Sequence, residues 1–346
     1  MSVGLINLRS DTQTLPTQAM LDAMSAAPLG DDIFGEDPTV AKLESMAARM
    51  FRKEAAMLTI SGTMGNLVSL MVHGGLGDEV IVDPEAHLFF YEVGGLASVA
   101  GLMPMPVASH DGMLDPDEVR AAIRKQPNVH FPTTRVLCLE NTHNRSGGRV
   151  VPLDLHRSLC AVAREHGLAV HLDGARIFNA SVASGTPVSA YAEDVDSLMF
   201  CLSKGLSCPL GSVVVGSAEF IAKARHCRKR IGGGMRQAGV IAAAGIVALE
   251  SMIDRLAEDH AAARALAAGI NDVPGFAIDM DKVETNMVYV DHSATGLSTE
   301  ELVARLKSAG ILASASPPRR IRMVTNRHHP MPVIEEAIAR IRKAMG

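Results

Sequence analysis

The sequence has no tryptophan and only three tyrosines, and aromatic residues make up 3% of its 346 positions. That scarcity gives no hint of a pocket selective for one bulky side chain. Cysteine is also sparse. Cys138, Cys160, Cys201, Cys208 and Cys227 stand singly, with no CxxC spacing, and read as buried free thiols of a reducing cytoplasm rather than a disulfide framework. No apolar run is long enough to span a membrane; residues 238–249 come nearest and carry Gly and Ala. The first nine residues lack a basic segment followed by an apolar one, so a signal peptide is not expected. With 33 basic against 38 acidic residues and a net charge of −5, there is no basic stripe and no reason to expect a nucleic-acid partner. Nucleotide loops of the GxxxxGK[ST] or GxGxxG type are missing. The adjacent His328 and His329 lack a carboxylate companion, so no metal site is expected.

What is present is an ordinary globular composition, 47% hydrophobic and 21% charged, with 19 methionines to fill core gaps. The length suits one large domain and one smaller. Strands are expected at 55–61, 79–83, 135–140, 168–173 and 196–202, alternating with helices at 63–73, 114–123 and 155–166. The last begins a face of Leu155, Leu159 and Val162 and stops at Gly167. Such alternation predicts an α/β domain with a mostly parallel sheet. A long helix follows over 238–270, with a break near Asp254. Strands at 286–290 and 321–324 and helices at 299–309 and 331–344 then make a small α+β unit. The boundary is placed near residue 250, giving domains 1–250 and 251–346 that pack as one body.

Four features lie at strand ends. Lys204 follows an apolar strand, where open α/β sheets place ligands, and a lysine there can form a Schiff base with a carbonyl cofactor. Asp173, in His171-Leu172-Asp173-Gly174-Ala175-Arg176, can pair with a pyridine nitrogen and keep it protonated. Ser61-Gly62-Thr63-Met64-Gly65-Asn66 is a turn into a helix, where free N–H groups favour a phosphate. His87 follows the strand at 79–83 and can stack on a ring or move a proton. Each alone has a plain reading: a solvated lysine, a helix-capping aspartate, a glycine turn, a core histidine. Their order together resembles that of the aspartate aminotransferase-like fold (fold type I) of pyridoxal-phosphate enzymes.

Within that superfamily the chain resembles the threonine aldolases. The matching motifs are Leu8-Arg9-Ser10-Asp11-Thr12, the segment from Gly30 through Asp31-Asp32-Ile33-Phe34 to Thr39, Glu140-Asn141-Thr142-His143-Asn144, residues 171–178, Leu202-Ser203-Lys204-Gly205 and residues 232–239. The resemblance implies pyridoxal 5'-phosphate bound as a Schiff base to Lys204, with Asp173 on the ring nitrogen, His87 on the ring face and Gly62 and Thr63 on the phosphate. Ser10, Arg176 and Arg322 would grip the substrate carboxylate, Arg176 also lying against the cofactor. Arg319 and Arg320 compete with Arg322, which is chosen because it precedes Met323-Val324-Thr325. Where many relatives have His after Val-Thr, this chain has Asn326.

The activity implied is cleavage of L-threonine, L-allo-threonine and related β-hydroxy-α-amino acids to glycine and an aldehyde, a carbon–carbon lyase reaction. His87 and His143 are both candidates for the base at the β-hydroxyl. The loop at 232–236, with Lys229 before it and Arg236 on it, would reach the phosphate of a neighbouring subunit, implying a homotetramer built as a dimer of dimers. A cytoplasmic location is expected. The competing readings are another pyridoxal-phosphate activity on the same fold, such as β-elimination or transamination, and a nucleotide-binding module without chemistry.

Overall fold

The computed structural model describes residues 4–124 and 128–346. The chain runs through a two-residue strand, β1 (Ile6–Asn7), and α1 (Gln18–Ser25) into α2 (Pro38–Phe51). Asp37 caps α2 by accepting the Thr39 and Val40 N–H groups at 3.0 Å, and Pro38 stands at the first helical position, where an N–H has no helical partner anyway. The alternation then begins with β2 (Ala55–Thr59), α3 (Gly62–His73), β3 (Glu79–Val82), α4 (His87–Phe90), α5 (Gly95–Ser98) and β4 (Met103–Pro106). A hairpin of β5 (Ser109–His110) and β6 (Met113–Leu114) leads to α6 (Pro116–Ala122), β7 (Thr134–Glu140), α7 (Leu153–Glu165) and β8 (Ala169–Asp173). Next come α8 (Ile177–Ser184), α9 (Val188–Glu193), β9 (Ser197–Cys201), β10 (Ser212–Gly216) and α10 (Ala218–Arg230).

Seven strands form one sheet in the order β2-β10-β9-β8-β7-β3-β4, and β10 alone runs against the others. Every residue of β3, β9 and β10 is buried, as strands covered by helices on both faces require. This is the mostly parallel sheet expected from the sequence. β4 and β10 add two strands to those expected. β4 carries Pro104 and Pro106, which a strand tolerates at the sheet edge, where β4 lies. β10 is a short unbroken apolar run, which periodicity cannot distinguish from buried helix.

Because β2, β3, β7, β8 and β9 share one direction, their carboxyl ends open on one edge. There β2 leads to Ser61, β3 to His87, β7 to Asn141, β8 ends at Asp173, and β9 leads to Lys204. α3 lies so close on the sheet that a Cβ at Gly65 would come within 2.5 Å of Met199 Cγ. A residue without a side chain is what lets the first turn of α3 approach β9.

The long helix divides into α11 (Gly239–Ser251) and α12 (Leu256–Ile270), broken beside Asp254 as the sequence suggests. Beyond them lie β11 (Met287–Asp291), α13 (Thr299–Ser308), β12 (Ile311–Leu312), β13 (Ser314–Ser316), β14 (Arg320–Val324) and α14 (Met331–Met345). α13 starts on a reciprocal box in which Ser298 and Glu301 each satisfy the other's backbone N–H. β11, β14 and β13 form an antiparallel sheet over a second core that includes Leu266, Val288, Leu302, Ile321 and Ile334. Ile6 and Leu8 belong to this second core. β1 pairs in parallel with β12, and Leu8 bonds to both Leu312 and Val324 at 2.8 and 2.7 Å. The N-terminal segment, placed with the large domain from its sequence, is thus fastened to the small unit and carries Ser10 and Asp11 to the junction. Among the described residues no helix is long and apolar enough to cross a membrane.

Candidate active site

Asp173, the last residue of β8, is 1% exposed. Its Oδ1 accepts the Ala175 N–H at 3.0 Å and its Oδ2 accepts Asn66 Nδ2 at 2.9 Å. The same Asn66 Nδ2 donates to Glu92 Oε1 at 2.9 Å, and Glu92 Oε1 lies 3.0 Å from His87 Nδ1. Potential ligand atoms of His87, Glu92 and Asp173 fall within 4.8 Å of one another. Asn66 bonds both carboxylates and Glu92 also meets His87, so the cluster reads as a hydrogen-bonded network rather than a set of vacant ligands. Burial works against a charged His87, but the Glu92 bond and the Asp173 charge outweigh it and push the imidazole above its ordinary value.

Lys204 follows β9 by three residues and is partly exposed. Its carbonyl accepts Thr14 Oγ1 at 2.8 Å, tying the N-terminal segment to the lysine turn. Its ammonium lies within electrostatic reach of both His87 and Asp11. Opposite it, Ser61 caps α3 by accepting the Met64 N–H at 3.2 Å. The first turn of α3, with Gly62 and Thr63, presents its N-terminal N–H groups at the same sheet edge.

A second group is built on arginine. Arg176 Nε and Nη2 donate to the two oxygens of Asp11 at 2.7 and 2.6 Å, and Nη1 reaches Asn144 Oδ1 at 3.3 Å. Burial disfavours the charge on Asp11, yet Arg176 holds its carboxyl far below the usual range. Arg322 Nη2 meets the same Asn144 Oδ1 at 3.1 Å, and Arg322 Nε is buried without a hydrogen-bond partner. Burial and then the neighbouring Arg176 press the Arg322 pKa down. Two guanidinium groups converging on one amide oxygen, one with an unanswered N–H, leave a place for an anion. Arg319 is exposed and Arg320 lies over the Tyr289 ring at 5.2 Å, so Arg322 is the one of the three aimed inward. Ser10 caps the turn at Asp11 by accepting Thr12 N–H at 3.2 Å.

The structure does not bring His143 to this group. Its ring is 1% exposed, Nδ1 faces Ser146 Oγ at 2.8 Å and Nε2 lies 3.4 Å from Asp83. Its motif earns its place otherwise: Glu140 accepts the His87 N–H at 2.5 Å and the Asn144 N–H at 2.7 Å, stapling two loops, with its pKa raised by burial. Lys229 and Arg236 are exposed and stand outside the group in this subunit; Arg236 pairs with Asp31 at 3.1 Å. Asn326, the departure from the family pattern, begins a turn in which Arg327 and His328 bond to Leu15 and Pro16. His328 Nε2 accepts a backbone N–H there, as His329 Nδ1 accepts that of Asn326. Asn66, Asn144 and Asp11 lie inside motifs noted in the sequence, without roles read for them, whereas Glu92 carries no sequence signal.

The residues fit pyridoxal phosphate: a buried carboxylate for a ring nitrogen, an amine for a Schiff base, a capped helix start for a phosphate and paired guanidinium groups for a carboxylate. Replacing Asp11 by Asn should leave Arg176 buried beside a neutral partner and lower unfolding stability by about 3–5 kcal/mol, read as a fall in the urea midpoint. An unchanged midpoint would contradict the buried pair.

Residues 7–293 match the family model described as beta-eliminating lyase. The chain is 45% identical to low-specificity L-threonine aldolase 1 of Arabidopsis thaliana, over 94% of this chain and 91% of that one. It is 43% identical to the low specificity L-threonine aldolase of Escherichia coli K12, over 93% and 94%. Its fold is similar to the threonine aldolase of Leishmania major, with a TM-score of 0.85 at 18% identity, covering 98% of this chain and 99% of that one. With a strand-end lysine, an aspartate and an arginine cluster already assembled, the chain belongs to the threonine aldolase family of pyridoxal-phosphate-dependent lyases.

Proposed function

We propose that this protein cleaves L-threonine, L-allo-threonine and related β-hydroxy-α-amino acids to glycine and an aldehyde. The observation that carries the reading is the pairing of Asp173 and Lys204 at adjacent strand ends with the anion place between Arg176 and Arg322. Pyridoxal phosphate, when bound, supplies an electron sink for negative charge developing at the α-carbon.

The chain's own residues would do the rest. Lys204 holds the cofactor through its amine. Asp173, anchored by Asn66 and the Ala175 N–H, keeps the ring nitrogen protonated. Gly62 and Thr63 give backbone N–H groups to the phosphate. Arg322 and Ser10 take the substrate carboxylate. Arg176, its Nε–Nη2 edge spent on Asp11, supports them through its remaining N–H bonds. His87 accepts the β-hydroxyl proton. As the O–H pair becomes the aldehyde C=O, the Cα–Cβ pair passes to Cα, whose protonation gives glycine. The enclosed ring of His143 favours His87 for this role. Scarce aromatics fit a site that accepts several β-substituents.

The two domains, 1–250 and 251–346, meet where α11 gives way to α12, with the N-terminal strand crossing to the second. A cytoplasmic location fits the five buried free cysteines. The subunits form a homotetramer, a dimer of dimers with shared sites. Leu29 and Phe34 are 48% and 74% exposed beside the loop that bears Arg236, and Lys229 stands next to that loop. The α3 turn supplies no cation for a dianionic phosphate, and Lys229 and Arg236 reaching across would supply two.

Threonine should yield glycine and acetaldehyde in equal amounts; ammonia and a keto acid instead would favour elimination. Lys204→Ala should lose the visible band of the bound cofactor and nearly all turnover; a variant that keeps both removes Lys204 from the site. Asp173→Asn should fold and bind cofactor but turn over slower by orders of magnitude, and wild-type turnover would end the electron-sink argument. Lys204→Ala and Arg236→Ala should each be poor alone. In a mixed dimer one site has both residues, so about half of the wild-type activity should return. No recovery in verified mixed dimers would place Arg236 outside the partner's site.

A further inference from the structure

Glu92 is buried, its side chain 1% exposed, just beyond α4. Among the described residues it pairs with no arginine or lysine; its side chain bonds Asn66 and His87. A buried carboxylate needs donors. The proton arrangement around it can be followed from one group to the next. Asn66 Nδ2 stands 2.9 Å from carboxylate oxygens of both Glu92 and Asp173, so the amide NH2 faces them and gives each one hydrogen. Asn66 Oδ1 must then accept, and His171 Nε2 lies 3.0 Å from it. With its proton on Nε2, His171 accepts at Nδ1 from Ser197 Oγ at 2.8 Å, and Ser197 Oγ in turn accepts from His73 Nε2 at 2.7 Å. Burial drops His171 to about 3 and His73 to about 4, so both are neutral at ordinary pH, as this arrangement requires. The chain of bonds fixes which way the Asn66 amide points, and the amide fixes Glu92.

His87 Nδ1 meets Glu92 Oε1 at 3.0 Å, and an acceptor-only carboxylate demands the proton on Nδ1. His87 Nε2 makes no hydrogen bond among the described residues, and the side chain is 33% exposed. We propose that Glu92 is a positioning residue of the aldolase reaction: it holds His87 with the proton on Nδ1 and leaves the Nε2 lone pair for the substrate β-hydroxyl. This rests on the reading of His87 as the base. The charged and titratable groups around His87 are Glu92 and Tyr91 from its own segment, Glu140 from the end of β7, Asp173 from β8 and Lys204 beyond β9. Glu92 is the one bonded to the ring.

Glu92→Gln keeps the size and an acceptor oxygen but removes the charge; Glu92→Leu removes both. Two readouts in the holoenzyme separate the claims. The first is the pKa of His87 by NMR of 13Cε1-labelled histidine, assigned with His87→Gln. It should fall by about one unit in Glu92→Gln as the anion is lost. The second is kcat/KM against pH. Its acidic limb should move to lower pH in Glu92→Gln, and Glu92→Leu should lose at least tenfold more kcat than Glu92→Gln. A structural role alone would lower the rate at every pH without moving the limb. If the His87 titration is the same in wild type and Glu92→Gln, the proposal is overturned. A shifted titration with an unmoved acidic limb supports the Glu92–His87 pairing and counts against His87 as the base. Equal kcat for the Gln and Leu variants would overturn the orienting role.

Discussion

An anion placed at the dry end of β8 persists only if donors reach its oxygens, and the architecture around Asp173 delivers them. One oxygen is answered by the chain's own turn, through the Ala175 N–H. The other is answered by Asn66, on a different element. For Asn66 to arrive, α3 must press onto β9, which it does across Gly65. For its amide to face the right way, His171 and Ser197 must hold its other side, and they come from β8 and β9. The sheet order that sets these two strands side by side is therefore a condition of the chemistry, not a background to it.

The second condition is that two cores meet. Arg176 extends from the turn after β8, and Arg322 from β14 in the small unit. Asn144, on the loop after β7, receives both. Asp11 neutralises Arg176 from a segment whose strand is paired to β12. The turn at Arg327 and His328 holds that segment a few residues further on, at Leu15 and Pro16. The place proposed for the substrate carboxylate is thus a junction of both cores and the N-terminal segment, where a shift in one alters the pitch between the two guanidinium groups.

The sequence made the strand ends readable because apolar runs there stop abruptly on polar residues, as at Asp173 and before Lys204. The helix start at Asp115-Pro116 and the break near Asp254 were readable for local reasons of capping and turn chemistry. β10 was not, since a short buried run has no period, and its antiparallel direction is a matter of the neighbours it lies between. Asn66 stood inside a motif but could not be read as a shared donor without the order of the strands. Glu92 follows Phe90-Tyr91 in a short irregular stretch, and its burial is wholly tertiary. His143 shows the reverse case: its motif is informative about family, but the loop turns its ring toward Asp83 and Ser146.

The account turns on the proposed pairing of Asp173 with the ring nitrogen of the bound cofactor. Holoenzyme reconstituted with pyridoxal phosphate labelled with 15N in the ring, and followed by nitrogen NMR across neutral pH, reads that state directly. The ring nitrogen is predicted to show the shift of a protonated pyridine at neutral pH and well above the range in which the free cofactor loses that proton. A neutral pyridine shift at pH 7 would contradict the claim that Asp173, held by Asn66, maintains the electron sink.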